Sequence, residues 1–165
     1  MILLRNYKQS DVTTLASLAN NREVSRFLRA TFPYPYTEED AVWWIEVGSK
    51  ENGAVTKVIE SDGVFVGTIG SMPRQGWRSH VAEIGYWIGR PYWGKGIATK
   101  AVELMTEMAF QDLGFLKLIA PVLGPNVASI RVLGKNGYDC EGILKNEVYR
   151  NNQYYDLYRF AKSCL

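Results

Sequence analysis

The chain has 165 residues, 47% hydrophobic and 22% charged, with 19 Lys and Arg against 17 Asp and Glu for a net charge of +2. Length and composition fit one folded domain that needs no disulfide or metal to hold it, and they exclude a disordered segment. The even charge balance, without a basic run, disfavours nucleic acid as the main partner, and no apolar run approaches the ~18 residues of a membrane helix.

In chain order, Met1-Ile2-Leu3-Leu4-Arg5 does not read as a signal peptide, and residues 2–7 read as an edge strand. Asp11 is placed to cap a helix whose apolar positions Val12, Leu15, Ala16 and Ala19 keep the 3.6 period. Val24, Phe27 and Leu28 continue a helical face. Pro33 and Pro35 then force a loop. Thr37-Glu38-Glu39-Asp40 opens the next helix with acids in its first turn, and Ala41, Trp44, Ile45 and Gly48 share a face. Residues 55–60 and 64–70 are two strands joined at Ser61-Asp62-Gly63. His80, the only histidine, stands in a polar turn, so a His-based metal site or a Ser–His–Asp triad has at most one candidate member, and a surface turn residue is the better reading.

Residues 81–89 form a further strand. A glycine loop follows, and then a long helix with Ile97, Ala101, Leu104, Met105 and Met108 on one stripe, ended by Gly114. Residues 116–123 form a strand containing Pro121, which cannot donate to a ladder, so a partner should be lost there. Residues 126–136 form a short helix stopped by Gly137, and residues 143–150 and 153–160 form a hairpin around Asn151-Asn152. Cys140 and Cys164 belong to no CxxC or Cys–His cluster, so a reducing cytoplasm is expected and a thiolate metal site is not. The fold class is α+β (mixed αβ): one domain, 1–165, built on one central sheet.

The chemistry concentrates at Gly85-Tyr86-Trp87-Ile88-Gly89-Arg90-Pro91-Tyr92-Trp93-Gly94-Lys95-Gly96-Ile97-Ala98-Thr99-Lys100. A strand enters a glycine loop that opens a helix, and the free amides at a helix start suit an anion, most naturally a pyrophosphate. The alternative is a plain glycine turn. The loop fits neither a Walker A sequence nor a Rossmann fingerprint, since Thr99 stands where the third glycine would be. A second segment lies 30 residues beyond Gly96: Asn126-Val127-Ala128-Ser129-Ile130-Arg131-Val132-Leu133-Gly134-Lys135-Asn136-Gly137-Tyr138.

Together the two segments resemble the GNAT superfamily of acetyl-CoA-dependent N-acetyltransferases. Trp93-Gly94-Lys95-Gly96-Ile97-Ala98 matches its Gln/Arg-x-x-Gly-x-Gly/Ala motif except at the first position, and Asn126, Ser129, Gly137 and Tyr138 match its later pattern. Glu83-Ile84-Gly85-Tyr86-Trp87-Ile88 before the loop resembles the RimJ/RimL branch, the ribosomal-protein N-terminal acetyltransferases. The resemblance spans essentially the whole chain. It implies a mostly antiparallel twisted sheet, flanked by about four helices and splayed at the cofactor site between strands 81–89 and 116–123. Acetyl-CoA would be the acetyl donor, with no metal. Backbone groups of Trp87, Ile88 and Gly89 would meet the pantetheine arm, and the amides of Lys95, Gly96, Ile97, Ala98 and Thr99 would hold the pyrophosphate. Asn126 would contact the cofactor, cap its own helix, or both.

The implied reaction is direct attack of an amine on the thioester. An α-amine, with pKa ~7.7–8.0, is about a tenth neutral at pH 7, whereas a lysine amine is neutral about once in a few thousand. Glu83 is the expected base, directly or through water; the alternative is a solvent-facing edge position. Most of the family carries tyrosine seven residues after the asparagine, where this chain has Leu133. Ser129 is then the expected proton donor, or else a plain helix-start serine. Tyr138 is expected in the core. Residues 32–36, Trp43, Trp44 and the tyrosines of the hairpin either wall the acceptor site or pack. The expected acceptor is a peptide N-terminus or a small-molecule amine, and a non-catalytic acetyl-CoA-binding module, supported by Leu133, is the remaining alternative. Neither nucleic acid nor membrane is expected as partner, and the protein is expected as monomer or homodimer.

Overall fold

The computed structural model describes residues 1–165. Its first strand, β1 (Ile2–Arg5), is followed by α1 (Val12–Ala19), α2 (Arg22–Ser25) and α3 (Glu38–Glu46). Then come β2 (Val55–Ser61), β3 (Val64–Pro73), β4 (Val81–Ile88), α4 (Ile97–Gln111), β5 (Lys117–Leu123), α5 (Val127–Lys135), β6 (Asp139–Arg150) and β7 (Gln153–Ser163). The seven strands form one sheet in the order β1-β2-β3-β4-β5-β7-β6. Every pairing is antiparallel except β4 with β5. Four α-helices have eight residues or more, as expected.

Alternation on β2 and β3, shifted by a bulge that leaves Val66 as the extra residue opposite Ile59 and Glu60, divides the core. Ile59, Val66 and Ile69 face α4 and α5, in a cluster with Ala101, Val102, Met105 and Leu133. Val58 and Phe65 face the other way, onto Leu15, Ala16 and Ala19 of α1 and Ala41 and Ile45 of α3. Helices therefore cover both faces of the sheet, and each buried Leu, Ile or Phe contributes about 1.5–3 kcal/mol.

Pro121 marks the feature that shapes the site. β4 and β5 pair only at Val81↔Lys117, Ala82↔Leu118 and Glu83↔Ile119. β5 continues against β7 as far as Leu123↔Leu157. Bonded and non-bonded residues alternate in an antiparallel ladder. The Gly124 amide donates to the Asp156 carbonyl, so Pro121 falls at a non-bonded position and its missing N–H lies on the β4 side. The expected lost partner is β4, and the sheet is open beyond Glu83.

Local expectations fail in three places. Asp11 precedes α1, but its carboxylate caps nothing there. It accepts from the Lys8 amide at 2.7 Å and pairs with Arg5 at 2.8 Å. Burial alone would raise its pKa, yet the bonds from Arg5 and Lys8 outweigh it and hold the carboxyl below its ordinary value. The helical face at 24–28 stops at Ser25, so Phe27 and Leu28 lie beyond the helix end. Gly48 likewise lies past the end of α3, where a Cβ would come within 2.5 Å of the Trp43 ring.

Candidate functional site

The loop after β4 is built by its aromatic residues and glycines. The Trp93 indole donates to the Ile88 carbonyl at 2.7 Å, and Arg90 lies over the Trp93 ring. Lys95 is exposed, with its ammonium 5.5 Å from the Tyr92 ring centre. Gly94 and Gly96 have φ of 75° and 73°, the left-handed region that side chains resist. Gly96 caps α4, and Lys100 donates to its carbonyl at 3.2 Å. None of the six amides from Gly94 to Thr99 donates to an acceptor within the protein. They stand at the positive end of a 15-residue helix, and they fit a diphosphate.

Where β4 and β5 part lies a cavity of about 360 Å³. Its walls include Arg29, Glu83, Tyr86, Asn126, Ser129 and Arg150. Glu83 and Tyr86 project to opposite faces of β4, so the gap connects the two sides of the sheet. Both residues expected to act chemically, Glu83 and Ser129, border it. Two reactants entering from opposite faces would meet there.

Glu83 is buried, which rules out the solvent-facing alternative. One carboxylate oxygen accepts from Arg29 and the other from Arg74. Arg150 lines the same cavity and donates to the carbonyls of Leu28 at 2.5 Å and Ser25 at 3.2 Å. These bonds tie the hairpin to the turn after α2. On the other face the hydroxyls of Tyr86 and Ser129 lie 2.6 Å apart. Burial pushes the Tyr86 phenol up to about 12, against the opposing pull of the Ser129 bond. It therefore stays a protonated hydroxyl at neutral pH. Asn126 is a helix cap, accepting from the Ser129 amide at 3.2 Å, and it also borders the cavity.

Several expected residues lie elsewhere or point elsewhere. The Gly89 amide donates to the Val66 carbonyl at 2.8 Å. By alternation Trp87 also bonds toward β3, which leaves Tyr86 and Ile88 as the residues whose backbone faces the gap. The expected backbone role of Trp87 and Gly89 is thus displaced by one position. Leu133 is fully buried, and Tyr138 is a core residue bonded to Thr106 at 2.8 Å. Among the aromatics, Tyr149 lines the cavity. Phe32, Tyr36 and Trp44 pack in the second core cluster, with the Trp44 indole on the Tyr7 hydroxyl at 3.0 Å. Tyr86, Arg29, Arg74 and Arg150 were not foreseen. The arginines come from separated elements and no local motif announces them, whereas Tyr86 lies inside the quoted 83–88 segment and only its pairing with Ser129 depends on the fold.

An acetyltransferase (GNAT) domain model matches residues 1–139. The N-acetyltransferase p20 of Bacillus licheniformis, itself uncharacterised, is 28% identical over 97% of this chain and 91% of its own. The spermidine N(1)-acetyltransferase of Escherichia coli K12 is 30% identical over 97% of this chain and 84% of its own. Among solved structures, Mycobacterium smegmatis RimJ in complex with CoA-disulfide superposes with a TM-score of 0.87 at 23% identity, over 99% of this chain and 82% of that one.

Proposed function

The chain belongs to the GNAT acetyltransferase family and is an N-acetyltransferase, and on that premise we propose that it moves acetyl from acetyl-coenzyme A to the α-amine of a peptide N-terminus. One observation carries the proposal: a row of unpartnered amides, 94–99, lies one short turn beyond the strand edge that borders a gap holding Glu83 on one side and the Ser129–Tyr86 pair on the other. The amides of Lys95, Gly96, Ile97, Ala98 and Thr99 would hold the diphosphate, with Lys95 adding charge. The β4 edge at Tyr86 and Ile88 would meet the pantetheine arm, and Asn126 borders its inner end. Bound acetyl-CoA supplies an activated acetyl group on sulfur.

The amine attacks the thioester carbon. A C–N bond forms, the C–S bond breaks, and sulfur leaves with the electron pair. Ser129 gives the sulfur a proton and takes one from Tyr86, which regains its own from water, so that the Tyr86 hydroxyl takes the place that Leu133 leaves without a donor. That pair removes the ground for a non-catalytic module in this proposal. Glu83 takes the amine's proton, directly or through water. An α-amine needs only a modest base, because about a tenth of it is already neutral at pH 7. Glu83 through Ile88 and the proposed serine donor support a place in the RimJ/RimL-like branch. The two exposed free cysteines suit the reducing cytoplasm in which we place it.

A second reading, a small-molecule α-amine, is favoured by the modest cavity, which suits a single residue-sized acceptor. A panel of N-terminal peptides and small amines with acetyl-CoA and a thiol reagent tests both. Release of coenzyme A with peptides is expected, and silence across the panel would refute the proposal.

A further inference from the structure

Resting on the acetyl-transfer proposal, we infer that the acceptor carries a carboxylate close to its amine, and that Arg29 leaves Glu83 to hold it. Three charged side chains line the cavity: Arg29, Glu83 and Arg150. Arg74 bonds to Glu83 from behind. Two guanidiniums thus bond the one carboxylate and a third lines the same cavity, an excess of two positive charges, three minus one. Such a site repels a polyamine and attracts an anion.

The three arginines are not held alike. Arg150 spends two nitrogens on backbone carbonyls and has no carboxylate partner. Arg74 is about two thirds covered, its side chain 35% exposed. The Arg29 side chain is 67% exposed, although its partner Glu83 is only 6% exposed. A guanidinium so open to water loses little on changing partners. Turning to an incoming carboxylate, it gains the planar two-point contact that suits it.

The same movement frees one oxygen of Glu83. An acceptor with an ammonium and a carboxylate side by side replaces one internal ion pair with two. Its carboxylate takes Arg29, and its ammonium takes the vacated Glu83 oxygen. The proton passes to Glu83, the neutral nitrogen attacks, and the thiolate takes its proton from the Ser129–Tyr86 pair. Without the carboxylate, Arg29 stays on Glu83 and the base stays blocked. Two sources offer this chemistry: the α-carboxylate of a free amino acid, or an acidic side chain at the start of a peptide.

The test measures coenzyme A release by the whole protein with matched acceptors: free amino acids against their carboxamides, peptides beginning Ser-Asp against Ser-Asn, and spermidine. Thermal protection by coenzyme A is followed in parallel. Each acid form should exceed its amide by about 10- to 100-fold in kcat/KM, the usual worth of a charged hydrogen-bond pair. Preference confined to amino acids, or to peptides, identifies the source, and either supports the inference. Arg29→Ala should remove the preference by raising the acceptor KM, and Arg29→Lys should restore part of it. Protection by coenzyme A should stay unchanged in both variants. Equal rates for acid and amide, spermidine as the best acceptor, or an acid preference that survives Arg29→Ala would each overturn it. Protection without release from any acid-bearing acceptor overturns this inference alone. Loss of both protection and release overturns the transfer proposal with it.

Discussion

At the scale of single residues, the site divides into a charged half and a hydroxyl half. Glu83 belongs to the first. If it takes the amine's proton, Glu83→Gln should slow turnover by about a hundredfold. The loss should be greatest at low pH, where most of the amine is protonated. A variant with the parent pH profile would remove Glu83 from that role and leave it as the anchor of Arg29 and Arg74. Ser129 and Tyr86 belong to the second half. Ser129→Ala should lower kcat with little change in KM for acetyl-CoA. Tyr86→Phe should lower it less, since Ser129 remains. A Tyr86 hydroxyl pushed up to about 12 by burial keeps its proton across the working range. Its ionisation should therefore produce no alkaline fall in rate below pH 10. An alkaline fall near pH 8 that disappears in Tyr86→Phe would contradict the assignment.

At the scale of elements, the glycine loop and the helix caps have separate tests. Gly96→Ala places a side chain at a φ of 73°, with no neighbour in its way. It should cost about 1 kcal/mol in stability. Its larger effect should be on coenzyme A affinity, because the loop amides would shift. Equal affinity in a folded Gly96→Ala protein would argue against the loop as the phosphate site. Thr37 and Asp40 form a reciprocal cap on α3, with the Thr37 hydroxyl accepting from the Asp40 amide at 3.2 Å. Thr37→Ala should cost about 1 kcal/mol, or about 2–4 °C in Tm, with activity unaffected.

The elements were also where the sequence could be read furthest. Pro121 announces a lost pairing because its chemistry is local, and Asn126 announces a cap for the same reason. Gly94 and Gly96 announce the left-handed turn. Asn151 and Asn152, both at positive φ, announce the hairpin. By contrast, Arg29 and Arg74 reach Glu83 from the turn after α2 and the end of β3, and Arg150 reaches the same cavity from the tip of the hairpin. Only tertiary packing brings them together, so neither periodicity nor spacing could show them. The pairing of Tyr86 with Ser129 is hidden in the same way. The one-position error at Trp87 and Gly89 arose because ladder phase depends on the partner strand.

For the molecule as a whole, buried tyrosines set the alkaline limit of stability. Burial raises Tyr7, Tyr36, Tyr86 and Tyr138 above the ordinary value of 10.0, and the last two reach about 12. Below pH 10 these phenols are neutral whether the chain is folded or unfolded. Above it the unfolded chain ionises first, so stability falls as pH rises from 10 toward 12. Tyr138→Phe should make that fall shallower in pH-dependent unfolding, and an unchanged slope would count against the burial account. The most direct test of acetyl-CoA use is titration of the whole protein with coenzyme A, following melting and the individual amide resonances together. At a hundredfold excess over Kd, binding should add about 2.7 kcal/mol, or about 5–10 °C in Tm. The amides of Gly94 to Thr99 should shift the most. No rise in Tm at saturating coenzyme A, with those six resonances unmoved, would contradict the assignment.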